Sequence, residues 1–372
     1  MKKRNKVMMM IGSLLLVVML VFVCLDGTFL THKYGSVWSD QYIDQLENDQ
    51  SKMIAYGIRA ASSHNTQPWL VKPISWDTIE LYADMDKALD VVDGDYKQLM
   101  MSQGTFIESY KRGALQYGYG LEITYRTPDF NEERPLIATI KMFKDEDVRT
   151  FDVKTSSTYD SAKLDEDIEL KKVLDQCTVD YPDFSYTIVE SSAEVEKLEG
   201  LLLEGTMIES KDEAATKELL DVFRFTEWEK NKFRYGLSLN TVPGILKPFI
   251  QPIVKFSSND WQGFGESSIK QFKDRLDTQN QYVLIKCDSS SDLRYIYSGE
   301  IYQKLVFEVS NYNVRPSMQI LETFEAMKSL NKQFQQGYGG DGEVVLIIGL
   351  QAKSDKSTSG NPRHFVEDII IN

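Results

Sequence analysis

Three things are scarce in this chain of 372 residues, and each scarcity closes a class of function. Cysteine occurs only at Cys24, Cys177 and Cys287, an odd number, far apart and without a C-x-x-C pair. Neither a disulfide framework nor a zinc knuckle is indicated. Histidine is as rare, at His32, His64 and His364, and no H-E-x-x-H occurs, which leaves little for a catalytic metal site or a histidine relay. Net positive charge is missing altogether: 42 Lys and Arg face 56 Asp and Glu, a formal −14 with histidine neutral. Such a surface repels a phosphate backbone, so nucleic acid is excluded as a partner. What remains is 42% hydrophobic, 26% charged and 11% aromatic, with only 10 prolines. That is a globular composition able to bury a core, in one large domain or two ordinary ones.

Long hydrophobic runs are also few, but one stands at the start. Lys2, Lys3, Arg4 and Lys6 precede an uncharged stretch of 19 residues from Val7 to Leu25. At ~1.5 Å per helical residue it reaches about the thickness of a bilayer core. The stretch has no polar face to show water, which argues against a core helix. The four cations favour a cytoplasmic N-terminus, and without them the remainder carries −18. The reading is a single-pass signal anchor in the cell membrane, with a basic tail at 1-6, a span at 7-25, a polar tether at 26-40 and the body outside. A cleaved signal peptide is the nearest rival. Cys24 invites lipidation, although Val23 is not the small residue wanted just before such a cysteine.

The body alternates helical and strand-like patterns without a low-complexity linker. Gln41 to Arg59 reads as a helix, and Trp69 to Ile74 and Ile79 to Tyr82 as strands around a turn. Leu99, Gln103, Phe106, Tyr110 and Ala114 share one helical face, with Gly118 placed to end it. Leu136 to Met142 reads as a strand. A similar order returns later: a strand at Tyr282 to Ile285, a helix from Gly299 to Asn313 with Ile301, Leu305 and Val309 on one stripe, and a strand at Val344 to Gly349. Gly104 stands to Gly118 as Gly299 stands to Asn313, which suggests a weak internal repeat. Helix-then-strand units recur in any α+β protein, so the pattern alone does not decide. Between lie two helical stretches and then Thr241 to Pro252, whose three prolines predict an irregular arm over another surface.

Ala60-Ala-Ser-Ser-His-Asn-Thr-Gln-Pro-Trp69 carries the most chemistry. It ends a helix in small and hydroxyl residues, offers backbone N–H groups and short polar side chains to a flat polar ligand, and starts a strand at Pro68-Trp69. A plain polar turn explains the same residues. The adjacent Ser62, Ser63 and His64 do not make a hydrolase, because neighbours rarely point at each other and no G-x-S-x-G elbow occurs. Gly337 to Gly342 is glycine-rich but precedes a strand, the wrong context for a phosphate loop.

This segment resembles the A-P-S-x-x-N-x-Q-P-W motif of the FMN-dependent nitroreductase family, and its S-S-H-N-T-Q-P-W form is similar to the Acg-type branch, in which one chain holds two nitroreductase-like halves. Asp84 to Leu89 with Met101 to Gly104, Ser298 to Leu305, and Gly349 with Asn361 to Asp368 resemble the same branch in order. The resemblance implies an α+β nitroreductase fold of two pseudo-repeated halves, 41-150 and 151-372, the latter with a lid-like arm at 241-252. It implies one FMN shared between the halves and a pseudo-dimeric monomer. The cofactor would be held by Ser62, Ser63, His64, Asn65 and Gln67, by the Pro316, Ser317 and Met318 turn whose backbone N–H faces flavin N5, and by a phosphate-binding Arg363. The implied activity is flavin-mediated two-electron reduction of a nitro, quinone or similar small-molecule acceptor, with NAD(P)H as the family's usual donor. One departure matters: where the family carries an arginine-rich element, this chain reads Val153 to Tyr159, with Lys154 its only cation. That loss, and a body outside the cell, also suit a flavin-storing or flavin-sequestering protein without turnover.

Overall fold

The structure, a computed structural model, describes residues 2-31, 33-145, 170-238, 246-257, 260-276, 281-309, 312-352 and 361-372. It begins with α1 (Lys2–Asp26), a helix long and apolar enough to cross a membrane, with its hydrophobic side chains exposed. The stretch expected as a tether is instead packed on the body. Val37 is fully buried, the Trp38 indole donates to Asn361 O at 3.0 Å, and Arg59 donates to Val37 O at 2.7 Å. Apolar residues within that stretch give it something to bury.

The helix expected over 41 to 59 is broken into α2 (Asp40–Asp44) and α3 (Asp49–Ile58). The reason is Asn48, whose side chain accepts from Ser51 N at 2.8 Å and starts a new helix. A capping residue satisfies an orphan N–H only if the helix begins there.

From there β1 (Trp69–Ser75), β2 (Thr78–Ala83), α4 (Lys97–Gln116), β3 (Tyr119–Tyr125) and β4 (Leu136–Lys144) build an antiparallel sheet of order β1-β2-β4-β3. Gly118, at φ +71°, turns α4 into β3, a conformation that glycine adopts freely. Beyond it come α5 (Leu170–Thr178), β5 (Phe184–Val189), α6 (Ser192–Glu209), α7 (Glu213–Asp221), α8 (Glu227–Phe233), α9 (Lys247–Ser257) and α10 (Trp261–Leu276). The chain then forms β6 (Gln281–Cys287), α11 (Leu293–Glu308), β7 (Tyr312–Pro316), α12 (Lys328–Tyr338), β8 (Glu343–Ala352) and α13 (Val366–Ile369). Its second antiparallel sheet has the order β5-β6-β8-β7. The two sheets share one connectivity, with the first and third strands at the edges.

α4 and α11 follow the second strand of each sheet and pack on one another. They meet at Gly104 and Gly299: a Cβ on Gly104 would run into Ile296 O, and one on Gly299 into Met101 O. The two backbones touch only because both side chains are absent. Asn313, expected to end the second helix, lies instead in β7; α11 stops at Glu308 with Val309 as its cap. Two further expectations need correction. The described part of residues 191 to 258 holds four helices rather than two, and the arm from Lys247 onward is helix α9, with Pro252 inside it. Pro248 sits in its first turn, where no N–H is needed. Thr241 to Ile245 and Val153 to Tyr159 lie outside the described residues. The C-terminal tail returns to the first sheet, where Ile371 N donates to Val71 O at 2.9 Å.

Candidate functional site

The turn after α3 is strained in a way that its neighbours enforce. His64, Asn65 and Gln67 have φ of 45°, 56° and 54°, the left-handed region that costs non-glycine residues roughly 1–3 kcal/mol each. Ser62 Oγ accepts from Gln67 N at 3.0 Å, and Gly236 N donates to Asn65 O at 2.8 Å. The Asn65 amide donates to Gly236 O at 2.9 Å and Pro362 O at 3.1 Å. The Gln67 amide donates to Arg234 O at 3.0 Å, while its oxygen accepts from His364 N at 3.0 Å. Arg363 adds a clamp, donating to Asn65 Oδ1 and, at 3.1 Å, to Ala60 O. Two distant segments, around Arg234 to Gly236 and Pro362 to His364, thus hold one turn.

Clamped from behind, the turn directs its other side chains into a cavity of about 310 Å³, near the lower end of ligand-pocket sizes. The walls come from α4, α11, the ends of α6 and α10, and the segment after β7. Ser62, Ser63 and His64 line it together with Pro316 and Met318, residues far apart in the chain. Asn65, Gln67, Ser317 and Arg363 are not in the lining. The placement expected for Arg363, on a ligand's phosphate, is therefore not the one found: its guanidinium is engaged by the turn and lies 4.9 Å from the Trp38 ring. The backbone donor of the second turn narrows likewise. Pro316 has no N–H, and Ser317 N donates to Ile347 O at 2.8 Å, so of the three only Met318 can offer one to a ligand. No described residue of α9 borders the cavity.

The cavity's charge lies on residues that the sequence did not single out. Glu209 and Glu322 both line it and are both buried. Burial pushes Glu209 up to about 7. Glu322 is raised well above the ordinary carboxyl range, first by burial and then by the like charges of Glu209, Asp93 and Glu218. Arg275 is the cation of the lining, pushed down to about 10 by burial and by nearby Arg315. His64 is pushed down to about 4 by burial and is neutral at physiological pH. Glu322 Oε2 and Gln319 Oε1, atoms of two lining residues, are buried without a hydrogen-bond partner. Buried polar atoms are nearly always paired, so these two mark a place for a ligand that brings its own polar groups. Among the described residues no cluster of His, Cys, Asp or Glu could hold a metal ion. One signal could have found Glu209: it lies seven positions after Leu202, in register with the buried face of α6. For Arg275 and Glu322 no such signal exists.

Neither a family model nor a curated protein matches the chain. Among solved structures, it is similar to a protein of Anabaena variabilis described as a candidate nitroreductase, over 74% of this chain and 69% of that one, at 13% identity and a TM-score of 0.32. A superposition that loose identifies neither a fold nor an activity.

Proposed function

We propose that the chain is a membrane-anchored, FMN-binding oxidoreductase of the nitroreductase type, built from two pseudo-repeated halves that share one flavin, with its body outside the cell membrane. The observation that carries the reading is the cavity bordered by both Ser62 to His64 and the turn after β7. The residues present fit the cofactor. Glu322 and Gln319 offer unpaired atoms to the polar edge of an isoalloxazine ring, and Arg275 is placed to meet a phosphate. FMN bound there supplies the two-electron reduction of a nitro, quinone or similar small-molecule acceptor. The chain's own residues do the rest. Ser62 and Ser63 would position the ligand, Met318 N–H would be the donor to a ring nitrogen, and Asn65, Gln67 and Arg363 hold the cradle's shape from outside the lining. Glu209 and Glu322 keep a proton beside the site near neutral pH, where a reduced acceptor needs one. His64, being neutral, contributes hydrogen bonding rather than charge.

A second reading, flavin storage without turnover, is favoured by the same carboxyl pair once it ionises, because a carboxylate facing the ligand opposes added negative charge. The visible spectrum of the purified chain decides. A yellow protein reduced by NADH or NADPH is expected; one reduced only by dithionite means storage. A colourless chain that takes up no added FMN overturns both. Arg363→Ala and Asn65→Ala should each weaken FMN binding by about tenfold, as loss of a pre-organised turn costs on the order of 1–2 kcal/mol. Unchanged affinity in both would show that the turn is not the cradle.

A further inference from the structure

Helix α9 is inside out. Its buried residues are Pro248, Gln251 and Pro252, and Gln251 is completely enclosed. Oriented to satisfy its neighbours, the Gln251 amide donates to Asp26 Oδ1 at 2.7 Å and accepts from Lys230 Nζ at 2.9 Å. The opposite face carries Leu246, Phe249, Ile253 and Phe256, spaced by three and four so that they form one stripe. Leu246, Ile253 and Phe256 are 45%, 53% and 68% exposed. A fully buried glutamine on the inner side and an apolar stripe on the outer one is the reverse of what water selects.

This stripe lies at the end of α1. Phe249 packs 6.0 Å from Phe22. The Trp228 indole donates to Cys24 O at 2.9 Å and meets Phe29 edge-on at 5.7 Å, and both rings stay largely exposed. We propose that the α9 stripe, Phe29 and Trp228 rest in the interfacial layer of the phospholipid leaflet from which α1 emerges, a second membrane contact that sets the tilt of the body. Continuity with the apolar helix is the main argument, since aromatic rings concentrate where a span meets the headgroups. A soluble surface has no reason to gather so large an apolar patch. The contact is apolar rather than electrostatic: the chain carries −14, and Lys255 is taken by Glu229 at 2.7 Å. It therefore needs neither anionic lipid nor low salt.

The inference rests on α1 spanning the bilayer, and the experiment separates the two. The full chain is reconstituted in phosphatidylcholine vesicles whose acyl chains are brominated near the headgroup, and tryptophan fluorescence is compared with that of Trp228→Phe. The component lost in the variant should be quenched severalfold more by brominated lipid than by aqueous iodide, equally at low and high salt. Ile253→Glu combined with Phe256→Glu should make Trp228 accessible to iodide while the protein stays in the vesicles after an alkaline wash. Both sites are exposed, so circular dichroism should be unchanged. A Trp228 component open to iodide in the wild type overturns the proposal, as does lipid protection that appears only at high protein-to-lipid ratio, the mark of a second copy on the stripe. A chain washed out of the vesicles removes the anchor itself, and the proposal with it.

Discussion

The molecule contains two pairs of buried glutamates in opposite circumstances. Glu300, at the crossing of α4 and α11, is fully enclosed, yet it is paired with Lys111 and accepts from Tyr125 and Tyr181 at 2.6 Å and 2.7 Å. Its neighbour Glu108 has Arg112 within 3.4 Å and Lys111 within 3.8 Å. Around Glu322, by contrast, the charges that act are carboxylates. A compensated acid locks two helices; an uncompensated one facing a cavity costs stability and holds a proton. Charge burial alone does not separate structure from function, but compensation does.

The comparison breaks most visibly at the compensated pair. Glu300→Ala should cost about 3–5 kcal/mol in urea unfolding, because Lys111 keeps only the more distant Glu108 and the buried Tyr125 and Tyr181 hydroxyls lose their acceptor. A loss below about 1 kcal/mol would mean that the network is ornamental. Glu322→Gln should go the other way, stabilising the chain at pH 8, because it removes a carboxyl whose burial and acidic neighbours oppose its ionisation. The sign follows from the direction of the shift. Folded-state pKa values raised above the ordinary carboxyl value near ~4.3 give stability that is complete below that pH and is lost as pH rises through them. Glu209, at about 7, places the loss between weakly acidic and neutral pH. Glu108 is also pushed up to about 7, chiefly by burial, so the variant should flatten the profile only in part. A profile unchanged by Glu322→Gln would leave it to the other raised carboxyls, Glu209 and Glu108 among them.

Smaller effects sharpen the contrast further. Adding Glu209→Gln to Glu322→Gln should stabilise by less than the two single effects summed, because the pair shares one penalty; strict additivity in a double-mutant cycle would separate the two acids. The smallest change is expected at His64. Its lowered pKa gives stability that is present above the ordinary histidine value and lost as pH falls toward 4, so His64→Gly should flatten only the acid limb. At neutral pH the variant should alter stability by no more than about 1 kcal/mol, strain relief offsetting the added freedom of the unfolded chain.

Much of the fold was legible where the signal is local. The spacing of Leu99, Phe106 and Tyr110, the turn at Gly118 and the strands at Trp69 and Val344 all appear as read. The misses have physical causes. β3 and β5 alternate polar and apolar residues with little contrast, and the capping of α3 at Asn48 is stronger than the continuous helical pattern across it. In the Ser62 to Trp69 segment the polar residues were legible, but their division of labour was not. Ser62, Ser63 and His64 face the cavity, while Asn65 and Gln67 serve as scaffold.

Local order and the apolar first helix were settled by the sequence alone, because periodicity, caps and hydrophobic runs act between residues a few positions apart. Only the tertiary structure decided that Arg363 clamps a turn rather than lining the cavity, that Gly104 and Gly299 let two helices touch, and that Glu209 and Glu322 share one cavity. Burial and Coulomb energy depend on distances through space, and neighbours along the chain do not specify them.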